Sequence, residues 1–229
     1  MNIKRLICLL GSVALLLVAS NVPAAVLAGE IVELKGSAYA QAPGEKFRRL
    51  SQGEPVYAGD DIRTIDNSSI QIKFLDNSQF TLGSKARMII ANFEYKTDGA
   101  NNVVNTRILN GVFRFFSGLI AKKNPRAMSV NLTVATIGIR GTHVIGEVTD
   151  TSASVALLEP EVTGTKTAIE VSNGYGSVVI DEPGFGTDIP DAHSPPSPPH
   201  RVQVTRINNM LRSVQTMRHL SVPKPMRHP

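Results

Sequence analysis

The sequence predicts an all-β protein: many short antiparallel strands in a β-roll, solenoid-like or sandwich domain, with an amphipathic helix at the C-terminus. Three observations predict it. Apolar and polar residues alternate with a period of two along several stretches between residues 30 and 180. Turn signals rich in Gly, Asn and Asp recur at roughly ten-residue spacing. A run of prolines then separates this region from a segment whose apolar residues fall on one helical face. The composition is compatible with this class. Of 229 residues, 42% are apolar, which supports a buried core and excludes wholesale disorder.

Residues 1–28 read as an export signal. Lys4 and Arg5 supply a positive start, and Leu6–Ala19 is almost wholly apolar. Val26-Leu27-Ala28 places small residues at the −3 and −1 positions of a cleavage after Ala28; cleavage near Ala24 or Ala25 is the alternative within the same reading. The apolar run is shorter than the roughly 20 residues a spanning helix needs, which favours a cleaved signal over a retained anchor. Cys8, the single cysteine, lies inside that run. The mature chain would carry no thiol, as suits a periplasmic or secreted protein in an oxidising compartment.

Residues 29–182 are assigned to the β domain. Ile70, Ile72 and Phe74 alternate with Gln71 and Lys73; Asp76-Asn77-Ser78 turns the chain, and Phe80 and Leu82 resume the alternation. Arg87–Tyr95 reads as a strand, followed by a loop at 98–102. Val103–Leu109 and Val112–Phe116 read as two strands joined by a turn at Asn110-Gly111. The stretch 117–123 is weakly helical. Val130–Val134, Thr142–Val148, Val155–Leu158, Ile169–Ser172 and Ser177–Ile180 complete the series. Residues 183–200, with Ser194-Pro195-Pro196-Ser197-Pro198-Pro199, read as a stiff proline-rich linker. Residues 201–229 form a basic tail. In it Val204, Ile207, Met210, Leu211, Val214 and Met217 share one face of a helix from about Thr205 to Met217, which Pro223 and Pro225 cannot continue.

Charge follows the same division. The net charge of +5 comes from the two ends: residues 29–199 hold 16 Lys and Arg against all 19 Asp and Glu. The folded part is mildly acidic, which argues against a nucleic-acid partner. Five scattered histidines and one cysteine give no metal-ligand spacing.

Three segments resemble the FecR domain, the periplasmic module named after an iron-dicitrate signalling protein. Gly53–Thr64 is similar to its G-x-x-V-x-x-G-D-x-I-R-T opening, through Gly59, Asp60 and Thr64. Ile70–Leu82 is similar to its strand–DGS–strand hairpin, with Asp76 in place and Asn77 where Gly is usual; Asn is the next-best residue for positive φ. Val134–Thr142 resembles its T-P-x-A-x-x-G-V-R-G-T signature through Gly138, Arg140, Gly141 and Thr142. Signalling members carry a cytoplasmic segment and a membrane helix. Here the chain opens on the export signal and shows no second apolar span of spanning length. The resemblance therefore implies an exported FecR domain used alone.

Each tempting site has a plainer counterpart. Gly138–Thr142 is either a Gly-framed anion nest or, as favoured, a tight turn in which Arg140 pairs with Asp60 or Asp76. His143 is either a general base or a packed histidine; no recognised nucleophile motif accompanies it. Asp60-Asp61 is either a cation site or a turn held by side-chain-to-backbone bonds. Phe93, Phe113, Phe115 and Phe116 offer a ligand platform or a core, with Phe113 and Phe115 on one strand face and Phe116 on the other.

No catalytic, cofactor-binding or metal residue is assigned, and no small-molecule substrate. The reading is a non-enzymatic protein-binding or scaffolding module of the cell envelope, whose partner is an envelope or outer-membrane protein. An accessory sensor for a receptor and sigma-factor system is the alternative, and an enzyme on cell-wall or glycan polymers stands third. Ile207, Met210, Leu211, Val214 and Met217 are assigned to partner binding. A protein partner ranks first, the protein's own domain second and a membrane surface third.

Overall fold

Strand alternation sorts the chain into two sheets that share one long strand. The computed structural model describes residues 25–215, apart from 98, 100, 161–166 and the side chain of Arg140. In chain order the strands are β1 (Leu27–Lys35), β2 (Ala38–Gln41), β3 (Arg48–Arg49), β4 (Pro55–Tyr57), β5 (Asp61–Thr64), β6 (Ser69–Phe74), β7 (Gln79–Leu82), β8 (Arg87–Glu94) and β9 (Val103–Phe116). They continue as β10 (Met128–Leu132), β11 (Thr136–Arg140), β12 (His143–Val148), β13 (Ala153–Leu157), β14 (Ala168–Asn173), β15 (Gly176–Ile180), β16 (Phe185–Ile189) and β17 (His200–Arg201). The helices are α1 (Leu119–Lys123) and α2 (Val204–Val214). The architecture is all-β, as the alternation requires.

The first sheet runs β4-β1-β6-β7-β9-β12-β13-β16-β17. The second runs β3-β2-β5-β8-β9-β10-β11-β14-β15. Pairing is antiparallel throughout except between β9 and β10. Strand β9 belongs to both sheets: residues 103–110 pair with β8 in the second, and 111–116 with β12 in the first. The handover falls at Asn110-Gly111, where the sequence predicts a hairpin turn. Gly111 has φ +96°, and a Cβ there would stand 2.5 Å from that of Ala86. The residue is a bend within one strand, not the end of one. Asn-Gly signals positive φ, and a strand that changes sheets uses the same conformation as a turn.

Between the sheets lies the core. Phe74, Phe80, Phe113 and Phe115 are fully buried. Phe80 stacks on Phe115 with centroids 5.0 Å apart, and Phe74 reaches Phe93 of the second sheet at 5.5 Å. Three of the four aromatics of the candidate platform are thus core; Phe116 alone faces outward.

Strands β12 and β13 are buried on both faces, which explains why HVIGEV and ASVAL do not alternate. Val144, Val155 and Leu157 point into the main core. Ile145 and Ala156 point the other way, into a second cluster with Leu158, Val202, Met210 and Val214. Helix α2 forms the roof of that cluster.

Three expected boundaries change. Residues 183–200 are not a free linker. Phe185–Ile189 is a strand on β13, and His200–Arg201 pairs with it in turn. The proline run lies along the fold: Ser197 N–H donates to Asp188 O (2.9 Å), Thr187 Oγ1 to Ser197 O (2.7 Å) and Asn173 Nδ2 to Ser194 O (2.7 Å). Prolines lack N–H groups, but the serines between them and the free carbonyls suffice to hold the strip. Second, the fold begins before Gly29. Ala28 is buried, Ala58 N–H donates to Val26 O and Leu75 N–H to Ala28 O, both at 2.9 Å. A leader ending at residue 28 would remove part of β1; residues 1–24 lie outside the described ones. Third, α2 ends at Val214 because Gln215 is already extended, short of the expected Met217, which lies outside the described residues.

Candidate recognition surfaces

The residues of the three motifs hold loops in place. Gly59 takes φ +91° in the turn that delivers Asp60. Asp60 is 1% exposed; its carboxylate accepts the Tyr57 N–H at 2.9 Å and pairs with the Arg48 guanidinium. Burial pushes its pKa up, against the pull of Tyr57 and Arg48. Among the described side chains the partner of Asp60 is Arg48; the side chain of Arg140, expected to pair with Asp60 or Asp76, lies outside the described residues. The Thr64 hydroxyl donates to Gly83 O (2.6 Å) and accepts from Ala86 N–H (2.8 Å), tying β5 to the chain entering β8. Neighbouring Asp61 faces the other way and binds Arg63 (2.7 Å) and Arg87 (2.8 Å). Burial raises its pKa, but hydrogen bonds from those two guanidinium groups leave it below the usual carboxylate range.

The second and third motifs converge on one segment, which the sequence did not reveal. Asp76, fully buried, accepts the Ser78 N–H (3.0 Å) and the Ile120 N–H (3.3 Å) on its carboxylate, and the Leu119 N–H on its carbonyl (2.7 Å). Asn77 supplies the expected positive φ, +65°. From the other side, Thr142 N–H donates to Ser117 Oγ (2.7 Å) and Ser117 N–H to Thr142 O (3.0 Å). The hairpin and the Gly141 turn thus clamp the start of α1 between them. Gly141 has φ +62°, whereas Gly138 is ordinary extended strand in β11. Arg140 ends β11, with its side chain outside the described residues.

His143 follows the clamp. Its ring stacks on Phe116 with centroids 3.9 Å apart. Nδ1 lies 2.9 Å from Glu159 O, and Nε2 accepts from Arg114 Nε at 2.7 Å, with the Arg114 guanidinium 4.5 Å above the Phe116 ring. Burial lowers the His143 pKa to about 4; the Glu159 carbonyl opposes the shift and the Arg114 charge adds to it. The ring is neutral at pH 7, with Nδ1–H on the carbonyl and the Nε2 lone pair taken by Arg114. A lone pair already used in this way does not serve as a base, so the packed histidine is the reading the geometry supports.

The surfaces remain. Met210 and Val214 of α2 are 4% and 3% exposed, with Ile207 and Leu211 half-buried beside them. Arg206 adds an ion pair to Asp188 (3.1 Å). The partner of the tail helix is thus its own domain, ranked second from the sequence, because β12 and β13 present a second apolar face that needs cover. On the first sheet, Leu27, Pro55, Lys73 and Leu75 line an open hollow of about 350 Å³. On the second sheet, Tyr175 and Val179 are 56% and 55% exposed. Its outward face carries Arg49, Arg63, Arg87 and Arg107 with Asp61 among them, by register. Among the described residues no three of His, Cys, Asp and Glu group as metal ligands, and no helix is long and apolar enough to cross a membrane.

Comparison with known proteins agrees with the motif geometry. No curated protein matches the chain. A solved structure, of a candidate anti-sigma factor from Parabacteroides distasonis, is 11% identical with a TM-score of 0.48; the alignment covers 66% of this chain and 64% of that one. The family model described as FecR protein matches residues 60–175. That span runs from the buried Asp60 through the shared strand and the Gly141 clamp to the β14–β15 turn, just over half of the sequence, and it makes the chain a member of the FecR family.

Proposed function

We propose that this FecR-family protein is a non-enzymatic binding module of the cell envelope, exported by its N-terminal leader and recognising another envelope protein. One observation carries the reading. Asp60 Oδ2, the Thr64 hydroxyl, the Asp76 carboxylate and the Thr142 N–H bond partners inside the fold, and Asp60 Oδ1 and Thr142 Oγ1, without a partner among the described residues, are buried as well. What the domain offers outward is surface, a hollow of mixed apolar and polar lining around Leu27, Lys73 and Leu75 and an arginine-bearing sheet face, as protein recognition requires. Family membership favours a second, narrower role within the same class: an accessory sensor that passes a receptor's state to a separate signalling system.

The test is photo-crosslinking in cells, with a photoreactive residue at Leu75 or at Phe47, both exposed. The expected result is a discrete adduct with one envelope protein from at least one position, the protein itself fractionating with the envelope. Absence of adducts from both positions, or retention in the cytoplasm, overturns the proposal.

A further inference from the structure

Among the described residues the two sheets have four outer edges, and three of them are blunted. Strand β3 is two arginines, β4 is three residues beginning with Pro55, and β17 is two residues long. Short, charged or proline-bearing edges resist pairing with other chains. Strand β15 departs from this pattern. It is Gly176-Ser177-Val178-Val179-Ile180, five residues with neither charge nor proline, and among the described residues β14 is the one strand that pairs with it.

Its register exposes a defined set of backbone groups. Residues Asn173 and Gly176 flank a two-residue turn, so 173 and 176, 171 and 178, and 169 and 180 are the hydrogen-bonded pairs with β14. The N–H and C=O groups of Ser177 and Val179 then point away from the sheet. Among the described residues no backbone hydrogen bond outside the β14 ladder involves either residue. On the outer face the Val179 side chain is 55% exposed, while Val178 faces inward and is only partly buried against the core.

We propose that β15 is a self-association edge that pairs antiparallel with β15 of a second copy of this chain. The occupant is chosen by self-complementarity. Centring a two-fold axis on Val178 sets Ser177 of each copy opposite Val179 of the other, and these are the two residues with free backbone groups. Both pairs exchange N–H and C=O, giving four hydrogen bonds. Val178 meets its own counterpart at the closer, non-hydrogen-bonded position, so the two partly buried valines extend one core into the other. The acidic pair Asp181-Glu182 falls opposite Tyr175 and Gly174, away from its own image. An isologous contact of this kind closes on itself and stops at two copies.

The experiment is sedimentation of the purified mature protein across a concentration series, beside Val179→Pro. Proline at 179 removes an N–H that the β14 ladder does not use and obstructs a strand arriving from outside. Each interface then loses two hydrogen bonds, each worth about a factor of five, so dimerisation should weaken about 25-fold with the fold intact. Val179→Lys serves if the proline variant does not fold. Register is read by oxidation. Val178→Cys should form a disulfide-linked dimer, whereas Ser177→Cys should not, because its two copies lie about 8 Å apart, beyond disulfide reach. A wild-type protein that stays monomeric throughout, a Val179→Pro or Val179→Lys protein that dimerises as well as wild type, or crosslinking of Ser177→Cys in preference to Val178→Cys overturns the proposal. A monomer that captures an extended peptide at β15 would likewise refute the two-fold pairing.

Discussion

Replacing Met210 by Ala tests whether α2 is part of the domain or a visitor to it. Met210 is 4% exposed and lies in a cluster with Ile145, Ala156, Leu158, Val202 and Val214. Truncating a buried Met to Ala destabilises by roughly 2–5 kcal/mol, depending on how far the surroundings collapse into the space. This cluster has half-buried Ile207 and Leu211 at its border, which can settle inward, so the lower end applies, about 2–3 kcal/mol. For a domain of this size that is a fall in melting temperature of about 5–10 °C. Arg206→Ala is the control: it removes an exposed ion pair to Asp188 and should shift melting by about 1–2 °C. Thermal denaturation followed by circular dichroism gives both numbers. Adding Ile145→Ala should be less harmful in the Met210→Ala background than alone, with a coupling of about 0.5–1.5 kcal/mol. A Met210→Ala protein that melts within about 1 °C of wild type, with no coupling to Ile145, refutes the docking argument.

Gly141→Val should destabilise by about 1–3 kcal/mol, since φ is +62° while a Cβ has open space; strain alone acts. Gly138→Ala in the extended strand should leave the melting temperature nearly unchanged, and equal losses at the two positions would contradict this. His143 holds its proton only below about pH 4 in the fold, against 6.5 for the ordinary side chain, so the unfolded chain binds the extra proton between those values. The stability it contributes is complete above about pH 6.5 and is lost as pH falls towards 4; His143→Gln should show a shallower decline from neutrality to about pH 5, and parallel declines would sink the assignment. Intact mass of the exported protein should place its N-terminus at Ala25, with Val22 and Ala24 at the −3 and −1 positions, because Val26 and Ala28 are held in the fold. A mature protein beginning at Gly29 would show that β1 starts later than Leu27.

Period-two alternation made β6 and the first half of β9 legible, because each has one wetter face and one dry. It failed where that condition fails. Strands β12 and β13 are dry on both faces, and their cover comes from residues some 50 positions downstream that no local pattern connects to them. Asn110-Gly111 was legible as positive φ but not as a continuing strand, since that depends on where Ala86 stands. The proline run misled for a related reason. Its stiffness is local, whereas Ser194 and Ser197 meet their partners only in the folded molecule. At the motifs, residue type fixed the turns at Asn77 and Gly141, and the departure from Gly to Asn at 77 is absorbed by its αL backbone. The clamp on α1 joins residues 76, 117 and 142, too far apart for spacing to show.

The single strand common to both sheets makes the two halves of the molecule unequal. Everything before residue 117 amounts to two five-stranded sheets, β4-β1-β6-β7-β9 and β3-β2-β5-β8-β9, hinged on one element they both contain. Everything after it amounts to two four-stranded sheets, β12-β13-β16-β17 and β10-β11-β14-β15, with no strand in common. A polypeptide delivered amino end first therefore completes its own template before the remainder arrives, and the later strands are added outward from β9 in both directions. If the chain were severed in the loop after Phe116, the amino-terminal piece would keep the template and the carboxy-terminal piece would be an obligate guest upon it.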